Sequence, residues 1–151
     1  MKTRLFKLTM IFGLFMLLGL TVNAQDLALR AQIPFDFHFG DVTMMAGNYD
    51  LNRLNIGGGV FQVQDRHLRN SAMRVVYPMY DRMPAKETIL VFNRYRDNGG
   101  EETYFLTKIW IEGMDRGYEF ITHPTERAAA ARAARRDIIT VAATRVDHRG
   151  E

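Results

Sequence analysis

The residues with the most capacity for chemistry are four histidines, at positions 38, 67, 123 and 148. No two of them follow a spacing typical of metal ligands. Asp36 and His38 lie two residues apart, so on a strand they would share one face and offer a carboxylate and an imidazole. Because a protein metal site needs three or four ligands, this pair is more typical of a solvated strand face, and we predict no metal site.

Other catalytic patterns are also missing from the sequence. Glu101 and Glu102 are adjacent, whereas acid–base catalysis needs two carboxyl groups held across a substrate. Ser71 is the only serine and lies outside a Gly-x-Ser-x-Gly motif, and the chain has no cysteine. The three glycines at 57–59 are not followed by the Gly-Lys-Ser/Thr of a phosphate loop. We therefore predict a protein that is not an enzyme, with no catalytic residue and no cofactor.

Two groups of residues could instead bind a ligand or surface. The predicted helix from Pro124 to Arg136 places four arginines on one half and alanines on the other. The arginines could contact an anionic surface such as lipid headgroups, although a solvated face over a packed alanine stripe is the favoured interpretation. These arginines are Arg127, Arg132, Arg135 and Arg136.

The second group is aromatic and methionine-rich. Aromatic rings combine apolar area with a polar tip, so they could stack on a sugar or line a lipid pocket, although core packing is their commoner role. We predict that these residues form the mouth of the fold and its working surface. They are Met79, Tyr80 and Met83 in an irregular crossing over residues 78–84, together with Trp110 and Tyr118.

The element that must position these residues is a hairpin of two β-branched and aromatic runs, residues 88–95 and 103–111, around Asp97-Asn98-Gly99-Gly100. With Asn98-Gly99 as the two central turn residues, Phe92 would face Phe105, and Leu106 would lie on the other face. A three-residue loop would shift this register by one residue. Both faces are apolar, so we expect a second sheet over one face and partial cover over the other.

The rest of the chain also favours strands. Residues 28–39 alternate strictly, with Pro34 suited to a strand start, bulge or edge, and further strands are predicted at 49–54, 60–64, 72–77, 118–121 and 138–144. Residues 42–45 are expected to pair with 49–54 in a second hairpin. The predicted fold is mainly β, an antiparallel β-sandwich or flattened barrel of about eight strands with one C-terminal Ala/Arg-rich helix.

Residues 1–24 are typical of a signal peptide, because Lys2, Arg4 and Lys7 precede an apolar run and small residues lead to cleavage after Ala24. A retained membrane anchor is the less favoured alternative, since the run is short for a spanning helix. Without this leader the basic residues fall from 20 to 17, equal to the 17 acidic residues, so nucleic-acid binding is not expected. Residues 25–151 then form a single domain with a polar tail at 145–151, periplasmic or secreted, with no transmembrane segment after cleavage.

The chain also resembles a group of uncharacterised small exported bacterial proteins. The resemblance covers most of residues 25–151 and rests on five motifs: Pro34-Phe35-x-Phe37-x-x-Gly40, Ala46-Gly47-x-Tyr49, Leu90-Val91-Phe92-x-Arg94-Tyr95, Tyr104-Phe105-Leu106-x-x-Ile109-Trp110, and Glu126-Arg127 opening an Ala-rich helix. It departs from the group at Met45, where a proline often precedes Ala-Gly. The resemblance implies export and a β fold, and it implies no activity or ligand.

The function expected from the sequence is that of an exported, non-enzymatic binding or interaction protein. One alternative is a carrier of an apolar small molecule in a cavity between the sheets. Another is a structural component of a cell-envelope assembly, for which a broad exposed apolar patch or a long open edge strand would be the signature.

Overall fold

The computed structural model describes residues 27–54, 59–67 and 70–146, so the predicted signal peptide and residues 147–151 of the predicted polar tail lie outside the described residues. Residues 145 and 146, also predicted as tail, instead belong to the last strand. The described elements are β1 (Ala28–Ile33), β2 (Phe37–Phe39), β3 (Val42–Met44), β4 (Gly47–Leu54), β5 (Val60–Asp65), β6 (Ser71–Tyr80), β7 (Ile89–Arg96), β8 (Glu102–Trp110), β9 (Arg116–Phe120), α1 (Pro124–Arg132) and β10 (Arg135–Val146).

Eight of the strands close into an antiparallel barrel. Their order is β8-β7-β10-β1-β4-β5-β6-β9, and β9 pairs back onto β8. The short β2 and β3 form an antiparallel hairpin beside the barrel, with β2 parallel to β8. The predicted mainly β fold with a C-terminal helix is confirmed, and of the two predicted architectures the chain adopts the barrel.

Large apolar side chains fill the barrel interior. Alternate residues of the barrel strands point inward, which buries one side of most strands away from water, while the inward residues of β10 are only partly buried. The largest fully buried side chains are Phe37, Phe39, Phe61, Phe92, Leu29, Ile33, Met44, Leu51, Leu90, Ile109, Ile111 and Val63. Edge-to-face aromatic pairs join neighbouring elements in this core, as between Phe39 and Phe120, whose ring centroids are 4.8 Å apart.

The predicted central hairpin is β7–β8, with the three-residue loop that was the alternative prediction, so the register based on a two-residue Asn98-Gly99 turn is wrong. The loop has three residues, because the amide of Asp97 donates to the carbonyl of Glu101 at 3.1 Å and the strands pair from Arg96 and Glu102 onward. Gly100 has φ +86°, which suits the left-handed residue after a type I turn. The reversal therefore uses one residue more than a two-residue Asn-Gly turn.

A β-bulge shifts the register a second time. Phe92 pairs with Leu106 but Val91 pairs with Lys108, so Thr107 is the extra residue in β8, and its hydroxyl donates to the carbonyl of Val91 at 3.1 Å. Leu106 therefore faces the core and Phe105 faces outward, the reverse of the predicted faces.

The predicted helix is too long at its C-terminal end. α1 ends at Arg132, Ala133 has the extended angles φ −72° and ψ 133°, and the amide of Ala134 donates to the carbonyl of Arg96 at 2.9 Å. The chain then continues directly as β10, which pairs with β7 from Arg135 onward. Pairing along a whole barrel strand satisfies more backbone groups than one further helical turn would.

Three smaller expectations are also corrected. The run 28–39 breaks at Pro34 into β1 and β2, which belong to different parts of the sheet. The short piece 42–44 pairs with β2 rather than with 49–54, and residues 47–54 pair with β1 and β5. β6 continues through Pro78 to Tyr80, so the irregular crossing predicted for residues 78–84 begins only after Tyr80.

A buried carboxylate holds α1 on the outer face of the central hairpin. Glu126 is 5% exposed, and its Oε1 accepts hydrogen bonds from Asn93 Nδ2 at 2.7 Å and from the Tyr95 hydroxyl at 3.2 Å. Burial and the charge of Glu126 together raise the pKa of Tyr95. A nine-residue helix is not stable alone, so its position depends on such tertiary contacts.

We predict that Glu126→Ala lowers the free energy of unfolding by about 2–3 kcal/mol, because two buried donors lose a charged acceptor. Urea denaturation followed by circular dichroism measures this change. Glu101→Ala, which removes an exposed carboxylate from the hairpin turn, is the matched control and should alter stability by less than about 0.5 kcal/mol. Equal stabilities for the two variants would contradict the anchoring role of Glu126.

Candidate functional site

The most unusual surface of the barrel is the outer face of β6, where alternate residues are large, apolar and exposed. Met73 is 58% exposed, Val75 48% and Tyr77 59%. The residues between them face the interior, where Val76 is buried. Three such side chains in a row on a strand surface are typical of an interaction site.

This orientation of β6 is fixed by Arg74, which points to the inner side. Its guanidinium donates to the carbonyl of Ile121 and lies 5.9 Å from the ring centroid of Phe39. It also lies against Gly40, where a Cβ would be 3.0 Å from its Nη1 atom. Desolvation by burial lowers the pKa of Arg74. Because neighbours along a strand face opposite sides, placing Arg74 inward turns Met73 and Val75 outward.

The apolar surface continues across β9 onto β8. Gly117 pairs with Met79, and a Cβ on Gly117 would lie 2.7 Å from Cε3 of Trp110 and 2.8 Å from Cε of Met79. The two side chains therefore pack over the bare backbone of Gly117, one from each neighbouring strand. Ile121, which directly follows β9, is 46% exposed. We call this surface the β6 strip; it comprises Met73, Val75, Tyr77, Met79, Trp110 and Ile121.

Polar and charged side chains border the β6 strip. Glu119 of β9 pairs with Tyr77 of β6 and forms an ion pair of 3.2 Å with Lys108 of β8. Gln62 of β5 pairs with Met73 on the other side. An apolar centre with a polar rim carrying both signs of charge is the usual anatomy of a protein interface.

The structure brings some of the predicted mouth residues together and separates others. Met79 and Trp110 belong to the β6 strip, and Met83 lines a shallow groove of about 360 Å³ with Trp110. Tyr80, the last residue of β6, is 70% exposed and pairs with Arg116 of β9, at the end of the barrel wall. Tyr118 is 4% exposed inside the barrel, 5.1 Å from the ring of Phe61, so it is not part of this surface.

Sequence reasoning missed the strongest part of the strip. The signal was present, because Met73, Val75 and Tyr77 alternate with a period of two. Alternation alone, however, assigns the larger apolar set to the core, and here that set faces water.

The predicted arginine face does not form. Arg127 and Arg132 are exposed on α1, whereas the other two arginines belong to β10. Arg135 pairs with Asp137 at 2.9 Å, and Arg136 donates to Asn93 Oδ1 at 3.0 Å. The four side chains therefore lie on two elements, and the helix ends before the last two are reached.

Asp36, His38 and Glu102 make structural contacts, whereas His148 lies outside the described residues. Asp36 accepts from the amide of Ala46 at 2.7 Å, while the His38 ring stacks on Phe105 at 5.0 Å and burial lowers its pKa. Hydrogen bonds from Tyr104 and Arg96 lower the pKa of Glu102. Among the residues described, no three His, Asp or Glu side chains are grouped to hold a metal ion.

The described part of the chain also has no helix long and apolar enough to cross a membrane.

A second, more polar groove lies beside the β3–β4 turn and includes Met45, Tyr49, Asp65 and His67. The Tyr49 hydroxyl donates to the carbonyl of Met45. Burial, with the nearby charges of Asp65 and Asp36, raises the pKa of Tyr49 to about 12. The phenol is therefore held neutral in the folded protein.

We predict that the free energy of unfolding falls as the pH rises from 10 to about 12. In this range the unfolded Tyr49 releases its proton from an ordinary pKa of 10.0, whereas the folded one retains it. Below pH 10 both states are protonated and this contribution is fully present. Urea denaturation at several alkaline pH values should show a shallower decline for Tyr49→Phe than for the exposed control Tyr77→Phe. Identical slopes would contradict the assignment.

We also predict that Gly117→Ala destabilises the barrel by about 1–3 kcal/mol, because the new methyl group would overlap the carbonyl oxygen of Ile109 and the two side chains above it. Gly47→Ala is a matched strand control, since its Cβ would meet no atom nearer than 3.8 Å. Thermal denaturation of both variants checks this difference. A Gly117→Ala variant as stable as Gly47→Ala would contradict the close packing at Gly117.

Comparison of the chain with protein-family models, with curated proteins and with solved structures found no match in any of the three. The function of this barrel must therefore be inferred from its own surface.

Proposed function

We propose that the protein is an exported, non-enzymatic interaction protein whose working surface is the β6 strip, bound by another protein. The observation that carries this proposal is the exposed apolar run Met73, Val75 and Tyr77 on the wall of a closed barrel. Export is supported by the basic and apolar pattern of residues 1–24.

The size of the strip suits a protein partner. Four of the six side chains are about half exposed, and Met79 and Trp110 are less exposed. Together they amount to roughly 400 Å² of apolar surface, since a large side chain offers about 150–250 Å². A standard interface buries about 800 Å² on each partner, of which a little over half is apolar. The strip therefore supplies about the apolar share of one such interface, and its charged rim supplies polar area around it.

The barrel interior gives less support to the alternative of an apolar-ligand carrier. Phe37, Phe61 and Phe92 are buried within it and occupy the volume that a ligand would need. The grooves described above, near Trp110 and near Tyr49, open on the outside of the fold. An outer-surface role, including one in an envelope assembly, agrees better with this packing.

We predict that a photo-crosslinking amino acid at Tyr77 forms a discrete adduct with another protein in the producing cell. The same amino acid at Met45, which is 67% exposed but outside the strip, is the matched control and should form none. Val75→Glu should abolish the Tyr77 adduct, because binding would bury an unpaired charge, while changing stability by less than about 0.5 kcal/mol. Denaturing electrophoresis and mass spectrometry of the adducts provide the measurement.

Two results would refute this function. One is the absence of an adduct from Tyr77. The other is an adduct that persists unchanged in the Val75→Glu variant. A partner that tolerates a charge at position 75 does not bury the β6 strip when it binds.

A further inference from the structure

The two ends of the barrel differ in how their arginines are neutralised. At one end, where β7 meets the start of β10, Arg94 binds Asp137 at 2.7 Å and lies 3.6 Å from Glu102. Hydrogen bonds from Arg94 and Arg135 lower the pKa of Asp137. At this end positive and negative side chains form a mutually compensated network.

The opposite end carries Arg53 of β4 and Arg116 of β9. Ala28 of β1 pairs with Val146, the last residue of β10, and with Asn52, the neighbour of Arg53. Arg53 therefore lies at the end of the barrel where β10 finishes, opposite the end where β10 begins. The Arg53 side chain reaches across the barrel, since β5 and β6 separate β4 from β9.

Both guanidiniums lie beside one aromatic ring. The Cζ atom of Arg53 is 5.2 Å from the ring centroid of Tyr118, and that of Arg116 is 6.0 Å from it. Arg116 precedes Tyr118 by two residues on β9, so the two side chains project from the same side of that strand. Arg116 is exposed and Arg53 is partly exposed, so both can be reached from solvent.

These two cations lack the carboxylates that neutralise the other end. Within the described residues, neither guanidinium forms an ion pair or a hydrogen bond with a protein group, and Nε of Arg53 is buried with no acceptor. Nε of Arg94 at the other end is also buried without an acceptor, but there the other guanidinium nitrogens pair with Asp137 and Glu102. A buried donor without a partner costs about 1–3 kcal/mol, and more when it is charged. The aromatic ring offsets only part of the positive charge.

We propose that Arg53 and Arg116 bind one phosphate or carboxylate group at this end of the barrel. Guanidinium groups present paired N–H donors that match two oxygens of such an anion. The anion would supply the negative charge that Glu102 and Asp137 supply at the other end. This site lies on the inward side of β9, apart from the outward β6 strip, so it is independent of the proposed protein interface.

The test is a titration of the isotope-labelled protein with inorganic phosphate, and separately with acetate, followed by the Nε–Hε resonance of Arg53 in nuclear magnetic resonance spectra. We expect a saturable shift that weakens as the salt concentration rises. Arg116→Gln should weaken the affinity about tenfold, the equivalent of one charge-assisted hydrogen bond. Arg127→Gln, which removes an exposed arginine on α1, should leave the affinity unchanged.

Vesicles distinguish a lipid headgroup from a free anion as the source of this group. Sedimentation with phosphatidylglycerol vesicles but not with phosphatidylcholine vesicles, reduced by Arg116→Gln, would indicate a headgroup. Saturation by free phosphate or acetate without vesicle binding would indicate a soluble anion. Because Arg116 is exposed, this variant should fold normally, which thermal denaturation verifies.

The proposal is overturned if neither anion produces a saturable shift of the Arg53 resonance. It is also overturned if Arg127→Gln weakens binding as much as Arg116→Gln does, because the effect would then follow net charge alone. Neither result affects the Tyr77 crosslinking experiment, which reports on the outer face of β6.

Discussion

The fold depends on a single strand, β8, that must pair with three neighbouring strands. Its whole length pairs with β7 on one edge, while on the other edge Phe105 meets β2 and Ile109 meets β9. The bulge at Thr107 lies between those two contacts. A bulge bends a strand and increases its twist, which lets one edge turn from the β2–β3 hairpin to the closing strand of the barrel. Without that change of direction β9 could not complete the ring, and the wall would retain an open edge.

The same strand explains why the central hairpin is apolar on both sides. Leu106 and Ile109 face the barrel core, whereas Phe105 packs outward at 5.8 Å from the ring of Tyr95, beneath the helix that Glu126 anchors. Residues on both faces are shielded, by the opposite wall of the barrel and by α1. A charged residue is the anchor because the alanines of α1 bury too little apolar area to hold a short helix in place.

Much of the strand content could be predicted from the sequence, because alternation and turn residues are local signals. The register could not, since it depended on Gly100 taking a left-handed conformation and on the extra residue at Thr107. The end of α1 was missed for a related reason. Alanine and arginine favour helix locally, but the backbone of residues 135–146 pairs with two strands distant in sequence. The candidate surface was misjudged because alternation does not say which of its two faces is inside.

That ambiguity at β6 is resolved by the surroundings of one residue. Arg74 finds a carbonyl, an aromatic ring and the space beside Gly40 on the inner side, and these contacts compensate its partial burial. The larger apolar residues on either side must then face outward, where they are unfavourable unless something covers them. At the end of the barrel near Tyr118, Arg53 and Arg116 also face inward, but there no protein acceptor among the described residues receives them. An inward arginine with acceptors stabilises the barrel wall, whereas inward arginines without them leave guanidinium donors for the anion that we propose.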